Sequence, residues 1–372
     1  MNINIIAEIG TSHGGDLKRA INLIDKAEEA GASAVKFQWV YADEILHPAT
    51  GLVKLPSGDT PLYSVFKSLE VPPAFFQTCL EHARSKHLKF ACSPFGIKSL
   101  RQLFALKPDF IKIASPELNH IPLLKELALL RKQTPLPVIL SSGVSLLADI
   151  EKALSLIGTQ GVTLLHCVTA YPAPETDYNL KLLQSLSSIF GVNTGVSDHS
   201  PDPVLVPALS AACGAVAIEK HITAANTAGG LDDLIALTPE RFFQMSRSVR
   251  QCEALINRLG KEQGSAQIIK QMSDQYGEEK VRAVLGDGVK RLAQSEHENY
   301  GRTNRSLHYV RSLKSGQIVR QDDIAVLRTE KNLTPGISSA AQENIIGARL
   351  TADVQSGEGV RLEHFLTITP AT

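Results

Sequence analysis

The chain has 372 residues, 43% of them hydrophobic and 20% charged, and its 38 basic and 38 acidic side chains cancel to a formal net charge of +0. That length is enough for a large core and two domains, and the even charge gives no basic face for nucleic acid or a membrane surface. The five cysteines are scattered without a CxxC pair, no apolar run is long enough to cross a bilayer, and Met1-Asn2-Ile3-Asn4 lacks the features of a signal peptide. A cytoplasmic protein is expected, with no disulfide framework and no structural zinc site.

From residue 1 to about 235, short apolar runs alternate with helical patterns. The first run is 3–9. Asp16 then caps a helix whose Leu17, Ala20, Ile21, Ile24 and Ala27 share one face, and Gly31 ends it. Further strand-like runs are 34–37, 89–92, 110–113, 137–140, 162–165, 191–196 and 215–218. Helical patterns such as 121–131, 146–157 and 202–213 lie between them. Eight strands in strict alternation predict an α/β fold, a (β/α)8 TIM barrel, with a doubly wound open sheet as the other arrangement. The irregular stretch 39–71, with Pro48, Gly51, Pro56, Gly58 and Pro61, is expected to carry substrate contacts or to act as a lid.

Thr238-Pro239-Glu240 opens a long helix with Phe242, Met245, Val249, Cys252, Ile256 and Leu259 in one stripe. The stretch 261–301 turns polar and reads as a linker with some helix. Residues 302–372 read as a small β-rich domain, so the expected division is 1–260, 261–301 and 302–372. Within the last part, 313–319 and 354–360 echo each other around two Ser-Gly turns, predicting a pseudo-symmetric β module.

In such a barrel, polar residues at the C-terminal ends of strands read as chemistry. Here they follow nearly every strand: Glu8 and His13; Lys36 and Gln38; Ser93; Lys112, Ser115 and Glu117; Ser141; Thr169 and Tyr171; Ser197 to His199; Glu219 to His221. His199 and His221 close the two strands of one βαβ unit. That brings two imidazoles together, either as a divalent-metal site or merely as strand-end caps. Lys36 and Lys112 with several Ser hydroxyls predict an anion cradle for phosphate or carboxylate. Glu8, Glu117 and Glu219 are hydrogen-bond acceptors, acid/base groups or lysine partners. Gly10-Thr11-Ser12-His13-Gly14-Gly15 is neither a Walker A loop nor a GxGxxG fingerprint, so no nucleotide is expected.

Taken in order, these strings resemble the sialic acid synthase family: Glu8-Ile9-Gly10 with Ser12-His13, Lys36-Phe37-Gln38, Lys112-Ile113-Ala114-Ser115 with Glu117, Leu140-Ser141-Ser142-Gly143, His166-Cys167 with Tyr171-Pro172, Ser197-Asp198-His199 and Glu219-Lys220-His221. The tail from Arg305-Ser306 resembles that family's antifreeze-like, or SAF, domain. The resemblance implies condensation of phosphoenolpyruvate with the open-chain aldehyde of a 2-acetamido hexose, giving a nine-carbon 2-keto sugar acid and phosphate. It also implies a domain-swapped homodimer, each SAF domain closing its partner's barrel. It further implies a divalent cation on His199 and His221, Mn2+ or else Mg2+ or Co2+. Lys36, Lys112, Ser115, Ser141, Thr169 and Ser197 would hold phosphoenolpyruvate. Glu8, Gln38, Tyr171, Asp232 and Arg328 would meet the sugar. Glu117, His199 and His221 would be catalytic, Glu117 as the acid/base or the water-orienting group. Two other readings stand beside this one: condensation with a different, phosphorylated aldose, and a sugar-binding protein of the same fold without turnover. Ser12 and Thr169 stand where the family often has Asn, and Ile222-Thr223 and Gly230-Leu231-Asp232-Asp233 also depart from its pattern. These departures lie on the sugar side of the expected site. Removal of the residues after Gly301 is expected to raise the sugar KM far more than that for phosphoenolpyruvate.

Overall fold

The computed structural model describes residues 2–55, 58–224, 230–330 and 332–366. Strands β1 (Asn4–Gly10) and β2 (Ala34–Trp39) precede a short hairpin, β3 (Val53–Leu55) and β4 (Gly58–Thr60). Then come β5 (Lys89–Pro94), β6 (Phe110–Ile113), β7 (Val138–Ser141), β8 (Val162–Cys167), β9 (Asn193–Asp198) and β10 (Ala217–His221). Apart from the hairpin they close into one barrel in the order β1-β10-β9-β8-β7-β6-β5-β2, with parallel neighbours throughout. The helices are α1 (Leu17–Glu29), α2 (Leu62–Ser68), α3 (Pro73–Ser85), α4 (Ile97–Ala105), α5 (Ile121–Gln133), α6 (Leu147–Ile157), α7 (Leu182–Phe190), α8 (Leu205–Ala212) and α9 (Pro239–Leu259). This is the expected TIM barrel.

Most strands run past the apolar stretches that announce them: β2 continues to Trp39, β5 to Pro94, β8 to Cys167, β9 to Asp198 and β10 to His221. The ladder is made by backbone groups, so polar side chains interrupt the hydrophobic pattern without ending the strand. The helix expected over 202–213 is shorter, because Asp202 Oδ1 accepts from Val204 N and Leu205 N (2.7 and 2.8 Å) ahead of α8.

The barrel interior is built in layers. Ile6, Ala34, Ala91, Phe110, Ile139, Leu165 and Ala217 form one buried apolar cluster, one residue from each of seven strands. The eighth strand offers Gly195 instead. A Cβ there would stand 2.2 Å from the Ala217 carbonyl oxygen and 2.8 Å from Leu165 Cδ2, so β9 can pass only as glycine. A strand repeats its inward face every second residue. Two residues further along therefore come Glu8, Lys36, Ser93, Lys112, Ser141, Cys167, Ser197 and Glu219, all buried. An apolar floor thus carries a polar layer.

The alternate residues point outward. Lys220 Nζ pairs with Asp198 Oδ2 at 2.6 Å and donates to the Ser200 carbonyl, with both side chains fully buried. These two sit in the site motifs yet face away from the barrel axis. Asp198→Ala is expected to destabilise the fold by about 3–5 kcal/mol, the usual cost of leaving a buried charge unpaired. Chemical denaturation of the variant checks this, and a loss well under 1 kcal/mol would refute it.

His13 was read as a strand-end group, but it packs among Phe37 and Phe75 (ring centroids 5.9 and 4.8 Å). Burial pushes its imidazole down to about 4 and those of His120 and His166 to about 3. These bases are neutral in the fold and take up protons near pH 6.5 when unfolded, so the unfolded state gains protons first. Stability is full above pH 6.5 and is lost as pH falls from there toward 4. A Tm that is flat between pH 7.5 and 5 would contradict neutral buried imidazoles.

The stretch 261–301 forms α10 (Lys261–Tyr276) and α11 (Glu278–Leu285), followed by an irregular tether. Ile268, Met272, Val281, Val284 and Leu285 lie in the same core as the barrel helices, alongside Phe242, Met245, Val249, Cys252 and Ile256 of α9. Leu259, the last residue of the expected stripe, is 38% exposed.

The C-terminal unit pairs β11 (Ser306–Tyr309) antiparallel with β12 (Ile324–Leu327) around its own core of Leu307, Tyr309, Leu313, Val319, Val354 and Val360. The internal echo is structural. Gly316 and Gly357 both turn at φ 85°, Leu313 bridges Val354, and one-turn helices Gln321–Asp323 and Leu362–His364 follow.

This cap rests on the barrel of its own chain. The 39–71 stretch is its seat. Arg328 N donates to the Ile45 carbonyl (2.9 Å), Asn332 Nδ2 to those of Thr50 and Leu52, and Ser356 Oγ lies 3.1 Å from His47 Nε2. Pro56, part of that stretch, lies outside the described residues.

Candidate active site

The polar layer is a chain of opposite charges. Lys112 Nζ lies 3.1 Å from Glu219 Oε1, Lys36 Nζ lies 3.9 Å from Glu219 Oε2, and Lys36 Nζ lies 2.5 Å from Glu8 Oε2. Ser197 Oγ donates to Glu219 (2.9 Å), Gln38 Nε2 to Glu8 (3.0 Å), and Lys36 to Ser93 Oγ (3.3 Å). Burial alone would raise the Glu219 carboxyl, but Lys112 and then Lys36 hold it down to about 2. Glu8 moves the other way: burial raises it, and Glu219 adds to the rise against the pull of Lys36. Burial lowers the Lys112 ammonium, whereas on Lys36 the two carboxylates outweigh burial and raise it. Glu219 is therefore the shared counter-ion of both lysines.

Beside this chain stand buried polar atoms with no hydrogen-bond partner: Ser141 Oγ, Thr169 Oγ1 and Glu219 Oε2. Native interiors rarely leave such groups unmatched. Ser115 Oγ accepts from Gly143 N (3.0 Å) at the same place. A Cβ on Gly143 would come within 2.1 Å of Thr169 Oγ1 and 2.9 Å of Ser115 Oγ, so glycine keeps this hollow open. Two lysines, free hydroxyls and a hollow lined by backbone make a receptor for a small polyanion.

Nearer the mouth, His199 and His221 lie with ring centroids 5.6 Å apart. His199 Nδ1 is bound to the Val168 carbonyl (2.9 Å), and His221 Nδ1 lies 3.9 Å from Asp232 Oδ2. Each ring thus turns Nδ1 to an oxygen, as metal-binding histidines do, leaving Nε2 as the other nitrogen. Burial pushes His221 down to about 4. On His199 burial is outweighed by Cys167, whose sulfur lies 3.8 Å away, and the imidazole is held up to about 9. Among the described residues no three His, Cys, Asp or Glu are placed to hold a metal ion. An ion gripped by the two imidazoles would displace the His199 proton and take water and substrate into the rest of its shell. Tyr171 stacks on His199 at 4.4 Å and is 40% exposed, facing the mouth.

The cap completes the enclosure. Glu117, fully buried on the turn after β6, receives Arg305 Nε on Oε2 (2.6 Å) and Arg328 NH2 on Oε1 (2.7 Å). Burial would raise its carboxyl, but Arg305 and then Arg328 hold it below the ordinary range. Arg328 lies over the Phe95 ring (5.3 Å), and its buried Nε has no partner. The tether after α11 follows the barrel rim and brings both arginines to the mouth within this chain.

Residues 23–261 match the NeuB family, and residues 304–366 match the SAF domain. The chain belongs to the NeuB family. The spore coat polysaccharide biosynthesis protein SpsE of Bacillus subtilis (strain 168) is 34% identical over 329 residues, spanning 87% of this chain and 83% of SpsE. The crystal structure of SpsE superposes with a TM-score of 0.81 at 29% identity, covering 99% of this chain and 96% of its own. The N,N'-diacetyllegionaminic acid synthase of Campylobacter jejuni subsp. jejuni serotype O:2 is 30% identical over 366 residues, covering 96% of this chain and 98% of that protein. The N-acetylneuraminic acid synthetase structure from Leptospira borgpetersenii serovar Hardjo-bovis gives a TM-score of 0.60 at 30% identity, covering 80% of this chain and 90% of that one. Among the described residues of this NeuB-family chain, no helix is long and apolar enough to cross a membrane.

The residues to which the resemblance gave roles reach one mouth, unlike His13, Asp198 and Lys220: Glu8, Lys36, Lys112, Ser141 and Ser197 in the polar layer, with Gln38, Thr169, His199 and His221 above it. Ser115 and Glu117 come from the turn after β6, Tyr171 and Asp232 from loops, and Arg328 from the cap. Three residues escaped the sequence reading. Cys167 is the eighth member of the polar layer, and counting two on from Leu165 finds it. Arg305 was noticed only as the start of the tail. Glu296 sits in a polar stretch that gave no signal.

Proposed function

We propose that this protein is a nonulosonic acid synthase that joins phosphoenolpyruvate to the open-chain aldehyde of a 2-acetamido hexose, releasing phosphate. The observation that carries the reading is the two-lysine layer beneath the histidine pair, with the unmatched Ser141 hydroxyl in it and that of Thr169 at its upper edge. A polyanion held there lies against an aldehyde held at the imidazoles, which is the proximity a carbon–carbon bond needs.

Lys112, Lys36, Ser115, Ser141, Thr169 and Ser197 hold the phosphate and carboxylate. Gln38, Tyr171, Asp232 and Arg328 meet the sugar. A divalent cation such as Mn2+ on His199 and His221 would polarise the aldehyde oxygen. The enolpyruvate C3 attacks the aldehyde carbon and positive charge grows at C2, which Glu8 and Glu219 face. Water adds at C2, and phosphate leaves by C–O cleavage. A carboxylate clamped by two guanidiniums accepts hydrogen bonds and has no proton to give, so Glu117 orients that water.

The sugar follows the relatives. Two named N,N'-diacetyllegionaminic acid synthases match this chain at 30% identity over 96% and 98% of its length, which supports a 2,4-diacetamido hexose. In a domain-swapped homodimer the same cap contacts would form between copies. Phosphate release from phosphoenolpyruvate with Mn2+ and a panel of acetamido sugars tests the reading. Tight sugar binding without phosphate release from any sugar would replace it with a binding protein, and turnover only with a phosphorylated aldose would change the substrate.

A further inference from the structure

The tether between α11 and the cap touches the phosphate hollow at more points than a linker requires. Glu296 is 1% exposed, and its Oε1 accepts from two backbone amides at once, Val144 N (2.7 Å) and Thr169 N (2.8 Å). Those amides belong to the loops after β7 and β8, neighbouring strands of the barrel. The carbonyls of the same two residues are also taken by the tether: Asn304 Nδ2 donates to Val144 O (3.1 Å), and Asn299 Nδ2 to Thr169 O (2.9 Å). Lys290 Nζ reaches the Ser142 carbonyl (3.3 Å). The tether therefore satisfies both backbone groups of one residue in each loop, as a paired strand would.

These loops carry the groups assigned to phosphate. Thr169 bears one unmatched hydroxyl, and Ser141, three residues before Val144, bears the other. Val144 stands at φ 42°, a backbone region that β-branched side chains avoid, and both its N–H and its carbonyl are held from outside its loop. Glu296 Oε1 would lie 3.2 Å from a Cβ placed on Gly143, so the carboxylate closes one wall of the hollow.

We propose that Glu296 is a positioning residue for phosphoenolpyruvate: its carboxylate bridges the β7 and β8 loops and sets the spacing of the hydroxyls and amides that receive the phosphate. This rests on the phosphoenolpyruvate reading of the site. Because the tether runs directly into Arg305 and the cap, phosphate binding and tether order are linked, and each strengthens the other.

The test uses the full chain with calorimetric binding of phosphoenolpyruvate and inorganic phosphate, followed by steady-state kinetics. Glu296→Ala is expected to weaken phosphoenolpyruvate and phosphate by about tenfold or more, with kcat at saturation and sugar KM within about threefold of the parent. Glu296→Gln keeps an oxygen that can accept from both amides and recovers most of the affinity. Glu296→Asp keeps the charge but is one methylene short, and does not. Hydrogen exchange across 287–304 slows on phosphate binding in the parent and not in Glu296→Ala. Equal phosphate affinity in parent and Glu296→Ala, or a loss shared equally by sugar and phosphoenolpyruvate, would overturn the proposal. If the parent itself binds neither phosphoenolpyruvate nor phosphate, the phosphoenolpyruvate reading fails and this inference falls with it.

Discussion

His221→Ala is expected to lower turnover about a thousandfold, the upper end of what losing one group that stabilises a developing oxyanion costs. Folding should be little affected. The ring stands at the end of β10, is neutral, and its nearest charged partner is 3.9 Å away at Asp232, so truncation strands no close ion pair. His199→Ala should cost as much in turnover, but more in stability. That ring also bonds the Val168 carbonyl and supports Tyr171. Phosphate release at saturating substrates measures the first effect and thermal unfolding the second. Chelation of the parent should match the alanine variants and be reversed by Mn2+. Full activity in the presence of a strong chelator would remove the metal from the mechanism.

Arg305→Ala should be the most damaging change in the cap, both to turnover and to cap docking. The guanidinium is wholly buried and donates to Glu117 and to the carbonyls of Glu44, Ile45, Phe95 and Val326. Its removal leaves those acceptors unmatched and halves the positive charge on Glu117, a loss of about 3–5 kcal/mol for a broken buried pair. In kinetics, kcat should fall about a hundredfold, because Glu117 loses one of the two guanidiniums that fix it for orienting water. Sugar KM should rise as the cap loosens. The sequence reading expected loss of the cap to raise the sugar KM far more than that for phosphoenolpyruvate. The two arginines on Glu117 add an effect on kcat, while Glu296 and Asn299 remain when the chain ends after Gly301, so phosphoenolpyruvate KM rises less than sugar KM. An Arg305→Ala protein with normal kcat would show that Glu117 does not act on the reacting atoms.

The barrel was legible because each of its strands carries an apolar core that a period of two exposes. The polar layer was legible at seven of eight strands for the same reason, since a lysine, glutamate or serine two residues beyond an inward apolar residue or glycine stands out. Cys167 did not, because cysteine reads as apolar. The facing of Lys220 and Asp198 was also hidden: motifs list residues in sequence, whereas a strand sends neighbours to opposite sides. Strand ends were placed short because hydrophobic pattern stops where the site begins. Arg305 and Glu296 act about 190 and 130 residues from their targets. Only tertiary contact reveals such pairs, and a buried charge looks like a surface charge in the sequence. The cap's repeat was visible, but its seat on the 39–71 stretch was not.

The layered interior has a kinetic consequence. Ile6, Phe110, Ile139 and Leu165 stop the barrel below the lysines, so the site is a shaft open at one end. In the proposed reaction phosphoenolpyruvate lies at the lower level and the sugar at the upper, against the imidazoles and Tyr171. A compound at the bottom of a blind shaft cannot pass one already seated above it. On that reading phosphoenolpyruvate enters first and the sugar second, and the long sugar acid withdraws before phosphate leaves, an order that product-inhibition kinetics checks. The order of addition is written into the depth of two rings of side chains.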